Sequence, residues 1–576
     1  MNENGRKTMN AGQIIGQTLK LYGVEYFFAF TGGDQDIWLG LRDAGIKYIL
    51  PHSERSGVAM ADAYARITGK PSFTYGQSGP GAAVCVSGLV DAYWAKSPVI
   101  CITSDTHSAV QYRHAYQGID DQQDLFSTIT KWNVRVPNLG RLPDILRSAI
   151  RIAVSGVPGP VHMDIPSELT IFTKEDLSDV ELYAEPECMK FPAYRRPPVA
   201  REIEQAITVI ANARRPLILA GGGVLMSEAC AELNRFAEML SIPVVASAAG
   251  KSAFSTTHPL AVGVTGNYSR KVANDVVEKC DTYIVIGSNL GDMTTKRWRL
   301  PSPSAKIIHI DLDPSVMGAN LKEEISIVAD AKLALQSLIE AGETSGLKKK
   351  ACPWADWVQE VQTMVASWRE AFQNLARNGG SPGAINPYFV LNVLNTLIAP
   401  EDLVVADTGY MGAFAAALLD VKAPGRKYIR TAGSLGWGFP ASLGAQIAIN
   451  DKGRVICITG DGGIGYHIAD IETAVRLGLP VVVLVLNNST LAFEYHLQKY
   501  MYKTEISEVN DFSNVDYGAV AKAFGAYGEK VTKPGEVESA LRRAFDSGKT
   551  AVIDFAIDRE FYAPVVYYES FVGRQV

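Results

Sequence analysis

A chain of 576 residues is too long for one hydrophobic core, and ordinary domain sizes divide it into three or four. Its 47% hydrophobic and 20% charged residues are the balance of a common globular protein. A net charge of −6 removes any electrostatic reason to expect nucleic acid or an anionic membrane as partner, and no apolar run approaches the roughly 18–20 residues that span a bilayer. Met1-Asn2-Glu3-Asn4-Gly5-Arg6 lacks the apolar stretch of a secretory signal. Seven cysteines without a C-x-x-C pair, among them Cys85, Cys101 and Cys457 in apolar surroundings, read as free thiols. Both features point to a cytoplasmic location.

Along the chain, short β-branched runs alternate with helical stretches, the signature of parallel α/β sheets. Residues 26–30, 48–50, 72–75, 99–103 and 161–164 read as buried strands, with helices over 56–68 and 82–95. The Pro-rich stretch 182–200 reads as a linker. A second block has strands at 216–220, 244–246, 282–286 and 306–310. A further boundary falls at about 340–385, where 340–350 is polar and Gly379-Gly380-Ser381-Pro382-Gly383 is loop-like. The last block has strands at 403–406, 454–459, 480–486 and 551–555, and its strand spacing is like that of the first. The expectation is three doubly wound parallel-sheet α/β domains at 9–182, 196–343 and 375–560, with a tail over 561–576.

Chemistry concentrates first at Gly460-Asp461-Gly462, directly after the apolar run 455–459, and at Asn487-Asn488 after the run 481–486. The 27 positions from Asp461 to Asn488 hold one strand–helix–strand unit, so both residues emerge at the same carboxyl edge of a parallel sheet, where open α/β sheets bind ligands. Gly462 and Gly463 let backbone N–H groups approach a diphosphate at a helix N-terminus. Asp461, the Asn488 oxygen and a backbone carbonyl near Thr490 are hard ligands that, with phosphate oxygens and a water, suit Mg²⁺. A Gly-Asp-Gly on its own is also a common turn; the flanking strands and the double Asn set this one apart.

With these motifs the sequence resembles the thiamine-diphosphate (ThDP)-dependent decarboxylase and acetolactate-synthase-like superfamily, over about residues 11–557. The resemblance implies an N-terminal pyrimidine-binding domain, a central domain and a C-terminal diphosphate-binding domain. A second marker is His52-Ser53-Glu54-Arg55-Ser56-Gly57, followed by Tyr64-Ala65-Arg66. An isolated Glu54 here would read as a helix cap. The resemblance implies instead that it is the cofactor's activator, a carboxyl that shares a proton with N1′ of the aminopyrimidine.

In Gly433-Ser434-Leu435-Gly436, Leu435 corresponds to the bulky residue that holds the cofactor bent, and Gly433 and Leu435 would offer backbone groups to its pyrimidine. Asp407-Thr408-Gly409-Tyr410-Met411 matches the upstream diphosphate loop, with Tyr410 and Met411 where acetolactate synthases carry Gln-His. Ser78-Gly79-Pro80-Gly81 is similar to the family's turn near the thiazolium; Gln77 and Gln117 then point at substrate or satisfy backbone groups, and His114 and His52 are proton-transfer candidates or structural. Ala249-Gly250-Lys251-Ser252 is not a P-loop, because Val245 replaces the upstream glycine. The central domain holds FAD or ADP in relatives; here Asn289 stands where many carry an arginine.

For the reaction, the segment Leu491-Ala492-Phe493-Glu494-Tyr495-His496 overhangs the thiazolium in relatives. Glu494 is either an acid/base or a solvent-facing side chain. The tail Tyr567-Tyr568-Glu569-Ser570-Phe571-Val572-Gly573-Arg574 resembles the closing segment of oxalyl-CoA decarboxylases and 2-hydroxyacyl-CoA lyases, with Arg574 set to cover a CoA thioester. The leading expectation is therefore a 2-hydroxyacyl-CoA lyase-type enzyme acting on an acyl-CoA and releasing formyl-CoA. The second is an acetolactate-synthase or benzaldehyde-lyase-like carboligase of free 2-oxo acids, toward which Lys131-Trp132 and Ser78–Ala82 lean. A third is an inactive ThDP-fold subunit. The resemblance also implies a homodimer, or a homotetramer built from two.

Overall fold

The computed structural model describes residues 8–347 and 353–572; the start of the chain, part of the 340–350 stretch and Gly573-Arg574 lie outside the described residues. Its helices nearest the site are α1 (Glu54–Thr68), α2 (Pro80–Trp94), α3 (Ala355–Arg377), α4 (Tyr410–Leu418), α5 (Gly438–Ile449), α6 (Asp470–Arg476) and α7 (Ala492–Leu497). Two compact units are formed. One takes residues up to Tyr194 together with Ala432–Asn450 and His467–Leu477; the other takes the rest.

The first unit holds a six-stranded parallel sheet: β1 (Tyr26–Ala29), β2 (Lys47–Ile49), β3 (Ser72–Gly76), β4 (Val99–Asp105), β5 (Trp132–Arg135) and β6 (Val161–Pro166), in the order β2-β1-β3-β4-β6-β5. β3, β4 and β6 are buried along their whole length, as expected of strands covered on both faces. α5 crosses α1 so closely that a Cβ on Gly444 would stand 2.1 Å from the Met60 carbonyl oxygen. Trp437 Nε1 donates to Asp62 (3.1 Å), which also pairs with Arg66, and Arg66 lies 4.8 Å from the Trp437 ring.

The second unit holds two more six-stranded parallel sheets. In the central one, β7 (Pro216–Ala220), β8 (Val244–Ala246), β9 (Ala261–Val264), β10 (Thr282–Ile286), β11 (Lys306–Asp311) and β12 (Ile325–Val328) run in the order β9-β8-β7-β10-β11-β12. In the C-terminal one, β13 (Leu403–Ala406), β14 (Tyr428–Arg430), β15 (Val455–Gly460), β16 (Val482–Asn487), β17 (Tyr527–Val531) and β18 (Ala551–Ala556) run in the order β14-β13-β15-β16-β18-β17. The first and last sheets thus share one topology, as their strand spacing suggested, and the central sheet has another. No described helix is long and apolar enough to cross a membrane.

Three α/β sheets match the sequence reading, with two differences. Strands β5, β9, β12, β14 and β17 went unread, and all five lie at sheet edges. The boundary read at 340–385 contains the 23-residue helix α3, whose Trp357, Val361, Trp368, Phe372 and Ala376 recur at helical spacing and join the core. Trp357 Nε1 donates to the Pro216 carbonyl (3.0 Å), fastening this connector to the foot of β7.

Candidate active site

In the C-terminal sheet the strand order reverses between β13 and β15, and open α/β sheets bind ligands in the crevice at such a switch point. Two loops meet there. After β13 the chain passes through Asp407 and Gly409, which adopts φ +70° with open space before it, into α4. No side chain caps the N-terminus of α4, so the N–H groups of its first turn face the crevice unclaimed by a capping residue. After β15 the short helix Asp461–Gly465 starts likewise without a side-chain cap. At the opposite end of α4, buried Lys251 donates to the carbonyls of Ala416 (2.7 Å) and Leu419 (2.6 Å) and Arg270 to that of Ala417 (2.8 Å). The Arg270 cation complements the dipole at this C-terminus, while burial and Arg270 itself pull the Lys251 pKa well down, so Lys251 acts there chiefly as a hydrogen-bond donor.

Asp461 is only 5% exposed and its Oδ2 has no hydrogen-bond partner. Burial pushes its carboxyl up to about 7, offset in part by the N–H groups of its own turn, while Asp554 nearby adds like charge. Among the described residues no group of three or more His, Cys, Asp or Glu is placed to hold a metal. One buried, unsatisfied carboxylate with neutral oxygens beside it is a donor set that a hard cation completes only with ligand oxygens, and it fits Mg²⁺ carried by a diphosphate.

Asn488 follows β16 on the neighbouring strand; its Oδ1 accepts from the Thr490 N–H at 3.3 Å. The Ser489 carbonyl is bound by the Phe512 N–H (2.9 Å), and Thr490 is buried and bridged to Asp511. Gly463 packs against Thr459 and Asp407, where a Cβ would come within 2.4 Å of the Thr459 hydroxyl. Asp407 in turn accepts from Thr459 (2.8 Å) and from the Thr408 N–H (2.8 Å).

Three site features were not read from the sequence. The Tyr517 hydroxyl donates to the Asp461 carbonyl at 3.1 Å. Asp407 braces both loops, as above. Tyr410, at the start of α4, shares a hydrogen bond between its buried hydroxyl and His496 Nδ1 on α7 at 2.6 Å. Burial depresses the His496 pKa to about 4, so the ring is neutral and able to accept. The departure from Gln-His at Tyr410-Met411 was the only signal for this pair. Glu494, on the same helix, is exposed.

In the first unit Glu54 opens α1, with Ser53 as its N-cap. Its Oε1 lies against Gly81, where a Cβ would approach to 2.8 Å. Ser78-Gly79-Pro80-Gly81 forms the start of α2, with Gly79 at φ +71°. Buried Gln122 accepts from the Gly79 N–H (2.6 Å) and donates to the Ser104 carbonyl (2.9 Å) and Asp164 (2.7 Å). The Ser78 N–H donates to Ser104 Oγ (2.9 Å), and the Ser78 hydroxyl is buried without a partner.

Gln77 donates to Gln117 (3.3 Å), so the two glutamines do meet; Gln117 and His114 both sit at left-handed φ in an exposed loop. His52 pairs with Glu472 (2.9 Å), and its N–H is taken by Asp470 (2.9 Å), which also binds Ser56 (2.5 Å). Arg55 donates to the Leu435 carbonyl (2.9 Å), and Asp91 accepts from the Gly433 N–H (3.3 Å).

The central sheet also has a switch point, between β7 and β10, and there the loops after the two strands pack closely on each other. The Gly223 N–H donates to the Gly287 carbonyl (2.9 Å), and a Cβ on Gly221 would stand 2.0 Å from that oxygen.

The fold and the C-terminal crevice define a three-sheet α/β protein with two uncapped helix starts and a buried carboxylate at a sheet switch point. Family comparison agrees and is more specific. Thiamine pyrophosphate enzyme patterns match in order: the N-terminal TPP binding domain over residues 9–125, the central domain over 203–338 and the C-terminal TPP binding domain over 407–555. A probable acetolactate synthase large subunit of Methanocaldococcus jannaschii is 33% identical over 97% of this chain and 93% of its own length. The acetolactate synthase large subunit of Haemophilus influenzae is 31% identical over 96% and 95%, and isozyme 3 of Escherichia coli 29% over 96% and 95%. The chain belongs to the thiamine-pyrophosphate enzymes, and it is a ThDP-dependent enzyme of carbon–carbon lyase or carboligase chemistry.

Proposed function

We propose that the chain is a ThDP- and Mg²⁺-dependent carboligase of the acetolactate-synthase kind. It would join the acyl unit left when one 2-oxo acid loses CO₂ to the carbonyl carbon of a second. The observation that carries the cofactor reading is the buried, unpaired Asp461 carboxylate at the switch point, beside the uncapped start of α4. The choice among reactions rests on relatives named acetolactate synthase that match over nearly the whole chain. The 2-hydroxyacyl-CoA lyase reading has no such support, and Arg574, on which it leaned, lies outside the described residues. Joint retention of Glu54, Asp461 and Asn488 argues against an inactive subunit.

Bound ThDP supplies an electron sink for negative charge on the acyl carbon. Asp461, the Asn488 oxygen and the Thr490 carbonyl would hold Mg²⁺, and N–H groups around Gly409, Tyr410, Met411, Gly462 and Gly463 the phosphates. Glu54 would hold a proton at N1′ of the pyrimidine, Leu435 would support its bent form, and Gly433 and Ser78 would line it. Gln117 and His114 would contact substrate, and exposed Glu494 would serve proton transfer only after α7 is covered. Asn289 stands where many relatives carry an arginine, so no nucleotide is assigned to the central domain.

The active unit is a homodimer. α2 is apolar all round, a pattern of helices buried on every side, yet Val84 is 38% and Trp94 62% exposed. A second copy covering that face, which begins at the turn against Glu54, resolves the mismatch.

The test is direct. With ThDP and Mg²⁺, purified protein should convert pyruvate to acetolactate and CO₂. Asp461→Ala should weaken ThDP binding at least about a hundredfold, the range set by loss of a buried charge partner. Formyl-CoA from a 2-hydroxyacyl-CoA, with no acetolactate, would replace this reading.

A further inference from the structure

Within the second unit a cavity of about 720 Å³ opens between the central domain, α7 and the C-terminal segment. That volume falls in the range of roughly 300–1,000 Å³ typical of sites for drug-sized ligands, and a three-carbon acid would leave most of it empty. One wall is aromatic: Tyr268, Phe493, Tyr567 and Phe571 line it. Its lining is also cationic, with Lys296, Arg297 and Arg299.

The cationic wall is built on a turn in which three successive non-glycine residues are left-handed: Lys296 (φ 52°), Arg297 (57°) and Trp298 (57°). L side chains rarely adopt this region even singly, and such geometry persists where surrounding bonds impose it. Here the Arg297 N–H donates to the Asp292 carbonyl (2.8 Å), the Trp298 N–H to Thr295 Oγ1 (2.9 Å), and Thr295 Oγ1 to the Gly291 carbonyl (2.9 Å).

Charge on this wall is not balanced. Glu569 pairs with Lys296 at 3.0 Å, and no carboxylate pairs with Arg297 or Arg299 among the described residues. The Arg297 guanidinium lies 4.5 Å from the Tyr567 ring centroid. Stacking occupies a guanidinium's face and leaves its in-plane N–H edge, which matches a carboxylate. Phe493 of the cavity wall also packs against Tyr410 at the start of α4 (5.7 Å between centroids), so cavity and C-terminal crevice are neighbours. The tail that closes it is pinned by the Val566 N–H to the Asn267 carbonyl (3.1 Å).

We propose that this cavity seats the acyl acceptor and selects a 2-oxo acid with a large apolar body, aromatic or branched, whose carboxylate is held by Arg297 and Arg299. The assignment rests on reading the chain as a 2-oxo-acid carboligase, and it names which acid the site prefers. An aromatic or branched body fills the space a methyl group cannot, and two unpaired guanidiniums supply the charge that its carboxylate requires.

Calorimetric titration of the ThDP- and Mg²⁺-loaded protein with phenylpyruvate, pyruvate and free CoA tests it. Phenylpyruvate should bind at least tenfold more tightly than pyruvate, and Arg297→Gln should weaken it at least tenfold, with Arg299→Gln in the same direction. With pyruvate as donor, Arg297→Gln should raise the KM for phenylpyruvate about tenfold and change kcat less than threefold. Met501→Trp, which fills the cavity, should lower the ratio of phenylpyruvate to pyruvate use. Equal affinity for the two acids, indifference to Arg297→Gln, or preferential binding of CoA overturns the proposal. Acetolactate formed without phenylpyruvate binding would sink it and leave the reaction standing. Arginine-dependent phenylpyruvate binding with no product from any 2-oxo acid would do the reverse.

Discussion

His496 shows how one side chain ties the site to acidity. It is fully buried, stacks on Tyr410 and Tyr500, and hydrogen-bonds the Tyr410 hydroxyl. Its pKa of about 4 in the folded chain lies below the usual 6.5. The unfolded chain therefore takes up the proton first, and stability present above pH 6.5 is lost as pH falls toward 4. His496→Phe should remove about 2–3 kcal/mol of that loss in urea titrations at pH 7.0 and 4.5, at the cost of the Tyr410 hydrogen bond at both. An equal acid loss in wild type and variant would exclude His496 as the source. Glu54 carries the second prediction at this scale. Glu54→Gln should leave ThDP bound and slow exchange of its C2 proton by at least about a hundredfold, the scale of a lost acid–base contribution.

At the scale of elements, the loop placements depend on helix crossings. Gly444 of α5 stands where any Cβ would meet the Met60 carbonyl of α1, the helix that Glu54 opens. Gly444→Ala should force the crossing apart and lower the thermal midpoint, by overpacking worth about 1–3 kcal/mol or more. Glu54 function should suffer in parallel. An unchanged midpoint would show that the crossing has slack. Elements also show where sequence reading works. β7, β10 and β13 are continuous apolar runs because both faces are covered, and such runs are legible. The unread strands β5, β12 and β17 are edge strands with half-exposed residues, such as Trp132-Asn133-Val134-Arg135, so no run or clean alternation marks them.

For the whole molecule, assembly is the decisive prediction. Val84→Glu with Trp94→Glu places charge on the outward face of α2, and sedimentation should report a monomer with unchanged circular dichroism and no carboligase activity. A dimer that tolerates both changes would move the interface elsewhere. The placement of Asp461 and Asn488 at one sheet edge was legible from sequence because they sit at the ends of adjacent apolar strands, and local spacing alone carries both there. Strand order is not local, so the switch point between β13 and β15 that makes that edge a crevice appeared only in the fold. The Tyr410–His496 pair and the meeting of the 296–299 turn with the C-terminal segment likewise depend on contacts between distant segments, which spacing along a single chain does not encode. Sequence by itself determined the class of fold and nominated the residues proposed to carry phosphate and cation. Tertiary structure decided which of them are buried, braced and faced by open space, because burial and approach are properties of segments that meet only on folding.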